Sequence, residues 1–250
     1  MKVTWACQII IDENTINQLV GLSGADLAKI VRDAKGIARR SHKTLCHDHV
    51  LEAADEAMPA GNPAVLHRIA THEAGHVVVA AMLGLPLPKL ARVSSMGGMV
   101  VRDAPTIFTR ESTQMELAYW LGGRAAERLI CGDVSSGSGA QINSDLDAAT
   151  DLVLNQELTW GLGRNGLTYA PITRADRHIM PQILRSSVNK TLSTAEDLAL
   201  QTLAKSRDLL EFVTQALLDE RELNKTQIAM LFATPTMPNR VPQVSDNLYI

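Results

Sequence analysis

Pro63-Ala64-Val65-Leu66-His67-Arg68-Ile69-Ala70-Thr71-His72-Glu73-Ala74-Gly75-His76-Val77-Val78-Val79-Ala80-Ala81-Met82-Leu83-Gly84 is the stretch from which the fold is read. Its punctuation is that of one helix running to about Leu83. Proline at the first helical position gives up only a backbone N–H that would have had no partner, and glycine suits the residue just past the end. Inside it stands an HExxH pentapeptide, His72 to His76. Residues four apart on a helix differ by only about 40° in azimuth, so both imidazoles leave one face, one turn apart. Two neutral imidazole nitrogens so placed suit a zinc ion. Glu73, one step on, can reach a metal-bound water without ligating the metal and take its proton as the water attacks a peptide carbonyl. A pentapeptide can arise by chance. Its place in a helix that opens on proline and stops at glycine favours the metal site over a pair of surface or core histidines.

A catalytic zinc needs a third protein ligand and an open fourth position. No histidine follows His76 until His178, a lone residue in what reads as a long helix, where surface exposure or packing is the ordinary role. Two carboxylates are better candidates. Glu127 lies in Gly122-Gly123-Arg124-Ala125-Ala126-Glu127, and Asp145 in Asn143-Ser144-Asp145-Leu146, in the first turn of a helix that follows a Gly/Ser-rich loop. Spacing alone leaves them level.

Working outward, Ser23 and Asp26 predict a helix start, with Leu27, Ile30, Val31, Ala34, Ile37 and Ala38 at helical spacing and Arg39, Arg40 and Lys43 at its end. Asp48 to Met58 reads as a second helix, and Pro59-Ala60-Gly61-Asn62-Pro63 as a linker. Ala91-Arg92-Val93 and Met99-Val100-Val101 are the convincing strand material, with Gly97-Gly98 as a hairpin turn between them. One long helix is predicted over Ser112 to Ile130, and another from about Ser144 to Thr159. The apolar spacing from Ile179 to Leu218 predicts a long helix and a partner, and Asn224 and Thr226 can cap a last short one. The expected fold is mainly α: a helical zinc-peptidase domain over residues 61–235 with a small β-hairpin or edge sheet, preceded by a small helical subdomain over 1–60. A poorly ordered tail is expected over 236–250.

The bulk properties exclude several alternatives. The chain has 250 residues, enough for one substantial core with a small appendage. Aromatic residues make up 4% and apolar residues 46%, so the core is aliphatic, which favours helices over sheets. The net charge of -3, without a basic stripe, gives nucleic acid no purchase. Cys7, Cys46 and Cys131 form no CxxC pair, so neither a disulfide framework nor a thiolate zinc site is expected. No secretory signal opens the chain, and the longest apolar run, Val77 to Leu87, is too short for a bilayer.

The motifs resemble those of the FtsH-type AAA proteases. His72-Glu73-Ala74-Gly75-His76-Val77-Val78 is similar to that family's zinc-binding helix. Leu121-Gly122-Gly123-Arg124-Ala125-Ala126-Glu127-Arg128-Leu129-Ile130-Cys131-Gly132-Asp133-Val134-Ser135 resembles its second motif, and Asp145-Leu146-Asp147-Ala148-Ala149-Thr150 its D-[IL]-x-x-A-T motif. Trp160-Gly161-Leu162 and Leu167-Thr168-Tyr169-Ala170 resemble the loop that follows. Gly21-Leu22-Ser23-Gly24-Ala25-Asp26-Leu27 is similar to the GFSGADL segment of the AAA lid, so the likeness covers residues 20–232.

The resemblance implies zinc held by His72, His76 and Asp145, with Asp147 as the fallback ligand and Glu127 supporting the site or its helix packing. It implies Glu73 as the catalytic base, unfolded or misfolded proteins as substrates, and binding of their backbone along an edge strand. It further implies a hexameric homo-oligomer on the cytoplasmic side, with contact to a membrane only through segments not in this chain. No GxxxxGK[ST] phosphate loop occurs, so ATP hydrolysis is not expected of these residues. The competing reading is a catalytically silent oligomerisation or scaffold module related to the same proteases.

Overall fold

A computed structural model of the chain describes residues 11, 15–16, 19–20, 22–57, 62–139, 141–164 and 166–233. The predicted tail at 236–250 and most of the linker lie outside the described residues.

Helix α1 (Gly24–Arg40) opens on a capping box, in which the Ser23 hydroxyl accepts from Asp26 N–H and the Asp26 carboxylate accepts from Ser23 N–H. It packs on α2 (His47–Ala57) through a core of its own, made by Ile30, Ala34, Ile37, Val50, Ala53 and Ala54.

Helix α3 (Pro63–Met82) starts at the proline, as the sequence reading requires, and forms the centre of the larger core. Residues Ala70 to Ala81 are all buried, so this helix is covered on every side where it carries the HExxH pentapeptide. Gly84 follows with φ +70. Strands β1 (Leu90–Ser94) and β2 (Gly97–Val101) pair antiparallel, and β3 (Glu222–Asn224) joins the other side of β1, giving the order β2-β1-β3. The hairpin differs from the sequence expectation. Ser94 pairs with Gly97, so Ser95 and Met96 make the turn, and the two glycines stand inside β2.

The predicted helix over Ser112 to Ile130 is two helices, α4 (Arg110–Trp120) and α5 (Gly122–Cys131), joined at Leu121. The break follows from packing. A Cβ on Gly75 would lie 2.4 Å from the Gly122 carbonyl oxygen, so α3 and α5 cross backbone against backbone. The Gly122-Gly123 pair that permits this crossing is a poor helix interior.

Helix α6 (Asp145–Leu158) begins where predicted, with Ser144 accepting from Asp147 N–H as its cap. Helices α7 (Gln182–Lys205) and α8 (Arg207–Glu220) are the predicted long helix and its partner, and α9 (Lys225–Ala233) is capped by Asn224. His178 lies in a short 3-10 segment, Arg174–Ile179, not in the long helix expected from sequence. α3 packs chiefly against α5 and α8, with the hairpin lying across it.

Candidate metal centre

The helical spacing of His72 and His76 does what azimuth requires. Their ring centroids are 5.0 Å apart. Each ring is fixed through Nδ1. His72 Nδ1 lies 2.8 Å from Glu127 Oε1, and His76 Nδ1–H donates to the Tyr119 carbonyl at 2.8 Å. With Nδ1 so engaged, Nε2 of both rings faces the same point, and α6 brings Asp145 to it. Asp145 Oδ2 is 2.9 Å from His72 Nε2 and 3.5 Å from His76 Nε2. Among the described residues, the potential ligand atoms of these three side chains lie within 4.8 Å of one another.

The donor set fits a borderline metal ion: two neutral imidazole nitrogens, one carboxylate oxygen and partners behind the rings that fix the tautomer. The electrostatics agree. Burial works against charge on Asp145, but the adjacent His76 and His72 rings hold its carboxyl well below the usual range. Glu127 is likewise pushed down to about 2 despite burial, because His72, Ser135 and Arg68 all donate to it. Ser135 does so through both N–H, at 2.8 Å, and Oγ, at 3.0 Å, and Arg68 Nη1 at 3.0 Å.

The two carboxylates left level by spacing thus have different places. Asp145 faces both Nε2 atoms, whereas Glu127 lies behind His72. Asp147 is turned away: it accepts from Arg177 Nη1 at 2.7 Å and from Asn143 N–H at 2.8 Å. His178 is exposed, with Nδ1 on the Ala175 carbonyl.

Glu73 lies beside the cluster, 7% exposed, and burial raises its carboxyl above the usual range while the two imidazoles lower it. Strand β2 passes directly over it, since a Cβ on Gly98 would lie 2.4 Å from Glu73 Cγ and Oε1. A Cβ on Gly123 would lie 2.3 Å from His72 Nε2. Both glycines are parts of the site that sequence reading passed over. So are the Tyr119 carbonyl, Ser135 and Arg68. The first is a backbone atom with no residue preference, and the other two are recognisable only once Glu127 is seen to face His72.

Residues 63–231 match the model of Peptidase family M41. The chain is 32% identical over 242 residues to ATP-dependent zinc metalloprotease FtsH 2 of Sphaerobacter thermophilus, covering 89% of this chain and 36% of that protein. It is 28% identical over 242 residues to ATP-dependent zinc metalloprotease FtsH 1 of Bdellovibrio bacteriovorus, covering 84% and 37%. It is 27% identical over 258 residues to ATP-dependent zinc metalloprotease FtsH of Mycoplasma mobile, covering 91% and 36%. The chain therefore spans a little over a third of the length of these relatives.

Proposed function

The chain belongs to Peptidase family M41, and from that premise we propose that it is a zinc endopeptidase acting on unfolded protein. The observation that carries the proposal is the convergence of His72 Nε2, His76 Nε2 and Asp145 Oδ2 on one point, with Glu73 beside it beneath an edge strand.

His72, His76 and Asp145 hold the metal, which when bound polarises a carbonyl and acidifies water. Glu127 and the Tyr119 carbonyl keep both rings in the tautomer that leaves Nε2 free to bind. Glu73 accepts the proton of the attacking water and returns it to the leaving amine. Its burial favours this exchange, because a carboxylate raised above its ordinary range is a stronger proton acceptor. β2 receives the substrate backbone as an added strand, so the chain to be cut must be extended.

α1 and α2 correspond to an AAA lid, and the chain works as a homo-oligomer, a hexamer by likeness, on the cytoplasmic side. No ATP hydrolysis is assigned to these residues, which contain no phosphate loop. No described helix is long and apolar enough to cross a membrane.

Glu73→Gln is the test. Cleavage of an unfolded casein-type substrate is expected to fall by at least about a thousandfold while one zinc per chain remains bound. Unchanged cleavage overturns the assignment of Glu73. Stoichiometric zinc in a wild-type chain that cleaves nothing, even with a motor supplied, returns the scaffold reading.

A further inference from the structure

Arg102 follows directly on β2, and its side chain runs inward. Nη2 donates to Glu116 Oε1, and the two side chains are only 3% and 2% exposed. The guanidinium carbon lies 4.1 Å from the centroid of the Tyr119 ring, within cation–π range. Glu116 and Tyr119 are three residues apart on α4, so a single guanidinium engages both. Tyr119 is the residue whose carbonyl accepts from His76 Nδ1, and its ring centroid lies 5.2 Å from that of His76.

As a device for stability this pair is a poor choice. Burying two opposite charges costs more than their attraction returns unless the remaining donors and acceptors are matched. Among the described residues, Arg102 Nε and Nη1 and Glu116 Oε2 make no hydrogen bond within ordinary distance. An apolar pair of similar volume would hold strand to helix at least as well. What it would lack is direction, because the planar guanidinium fixes strand, carboxylate and ring in one relative orientation.

We infer that Arg102 is a positioning residue, which through Glu116 and Tyr119 holds the carbonyl that orients His76 and ties it to the end of strand β2. The inference rests on the proposed reading of His76 as a metal ligand.

The test compares the whole chain with an R102M/E116L double variant, in which the ion pair is replaced by apolar side chains. Melting of EDTA-treated protein reports the fold, chelator competition the zinc affinity, and cobalt(II) absorption the geometry at the ligands. The double variant is expected to melt within about 4 °C of wild type without metal. It is expected to bind zinc about tenfold more weakly, with altered cobalt bands. Zinc affinity within about twofold of wild type overturns the inference. So does a metal-free double variant that no longer folds, since the pair would then be a structural tie. Absence of zinc binding by the wild-type chain overturns the metal-centre reading itself, a failure visible before any variant is compared.

Discussion

Asp145 and Asp147 share the first turn of α6, yet Asp145 Oδ2 faces His72 Nε2 at 2.9 Å while Asp147 Oδ1 faces Arg177 Nη1 at 2.7 Å. Asp145→Asn is expected to weaken zinc binding by about a hundredfold or more, since on the proposed reading it removes the charge of a ligand. Asp147→Asn is expected to leave zinc affinity within about threefold of wild type and to lower the melting temperature by a few degrees. Chelator competition on both variants checks this; the reverse ranking would make Asp147 the ligand.

Glu127 stands behind His72 with three protein donors besides the imidazole: Ser135 N–H, Ser135 Oγ and Arg68. Glu127→Gln keeps the shape and removes the charge. Zinc affinity is expected to fall by about 10–100-fold, with the stoichiometry still one per chain. A variant that binds zinc as tightly as wild type would reduce Glu127 to a packing residue.

Gly98 has no room for a methyl group because Glu73 fills the space. Gly98→Ala is expected to displace the Glu73 carboxylate and cut kcat/KM by about a hundredfold or more, with zinc affinity nearly unchanged. Loss of zinc in parallel with activity would show that the added methyl disturbs the whole site and not Glu73 alone.

Without metal, the pH dependence of stability follows from His72. Burial works to lower its imidazole, but hydrogen bonds to Asp145 and Glu127 prevail and push it up to about 10. A folded value above the ordinary one stabilises the fold fully below pH about 6.5, and this contribution is lost as pH rises through about 10. EDTA-treated protein is therefore expected to melt at progressively lower temperature across that window. Zinc must displace the same proton, so zinc affinity is expected to rise over the same range. Calorimetry in buffers of different ionisation enthalpy would detect the released proton; none released between pH 7 and 8 would contradict the assignment.

The helix that carries the proposed ligands was legible in the sequence because the spacing of His72 and His76 converts directly into geometry on one straight element. Asp145 was a different case. It comes from another helix after an irregular loop, and no periodicity reports where such a loop delivers a side chain. The break at Leu121 was hidden because apolar spacing continues across it, while the cause is the approach of Gly122 to Gly75 in a distant helix. Gly97-Gly98 read as a turn for a sound local reason, since glycine favours turns. At Gly98 the glycine answers a long-range demand, clearance over Glu73. β3 has three residues and pairs far along the chain, so no local pattern betrayed it.

The order β2-β1-β3 leaves β2 as the sheet edge that lies over Glu73. On the proposed reading, a polypeptide docks there through its own amides, whatever its side chains. Proline has no amide hydrogen to offer an edge strand. Digestion would then be nearly indifferent to residue identity but would stall at proline, leaving proline-rich remnants as its most durable products.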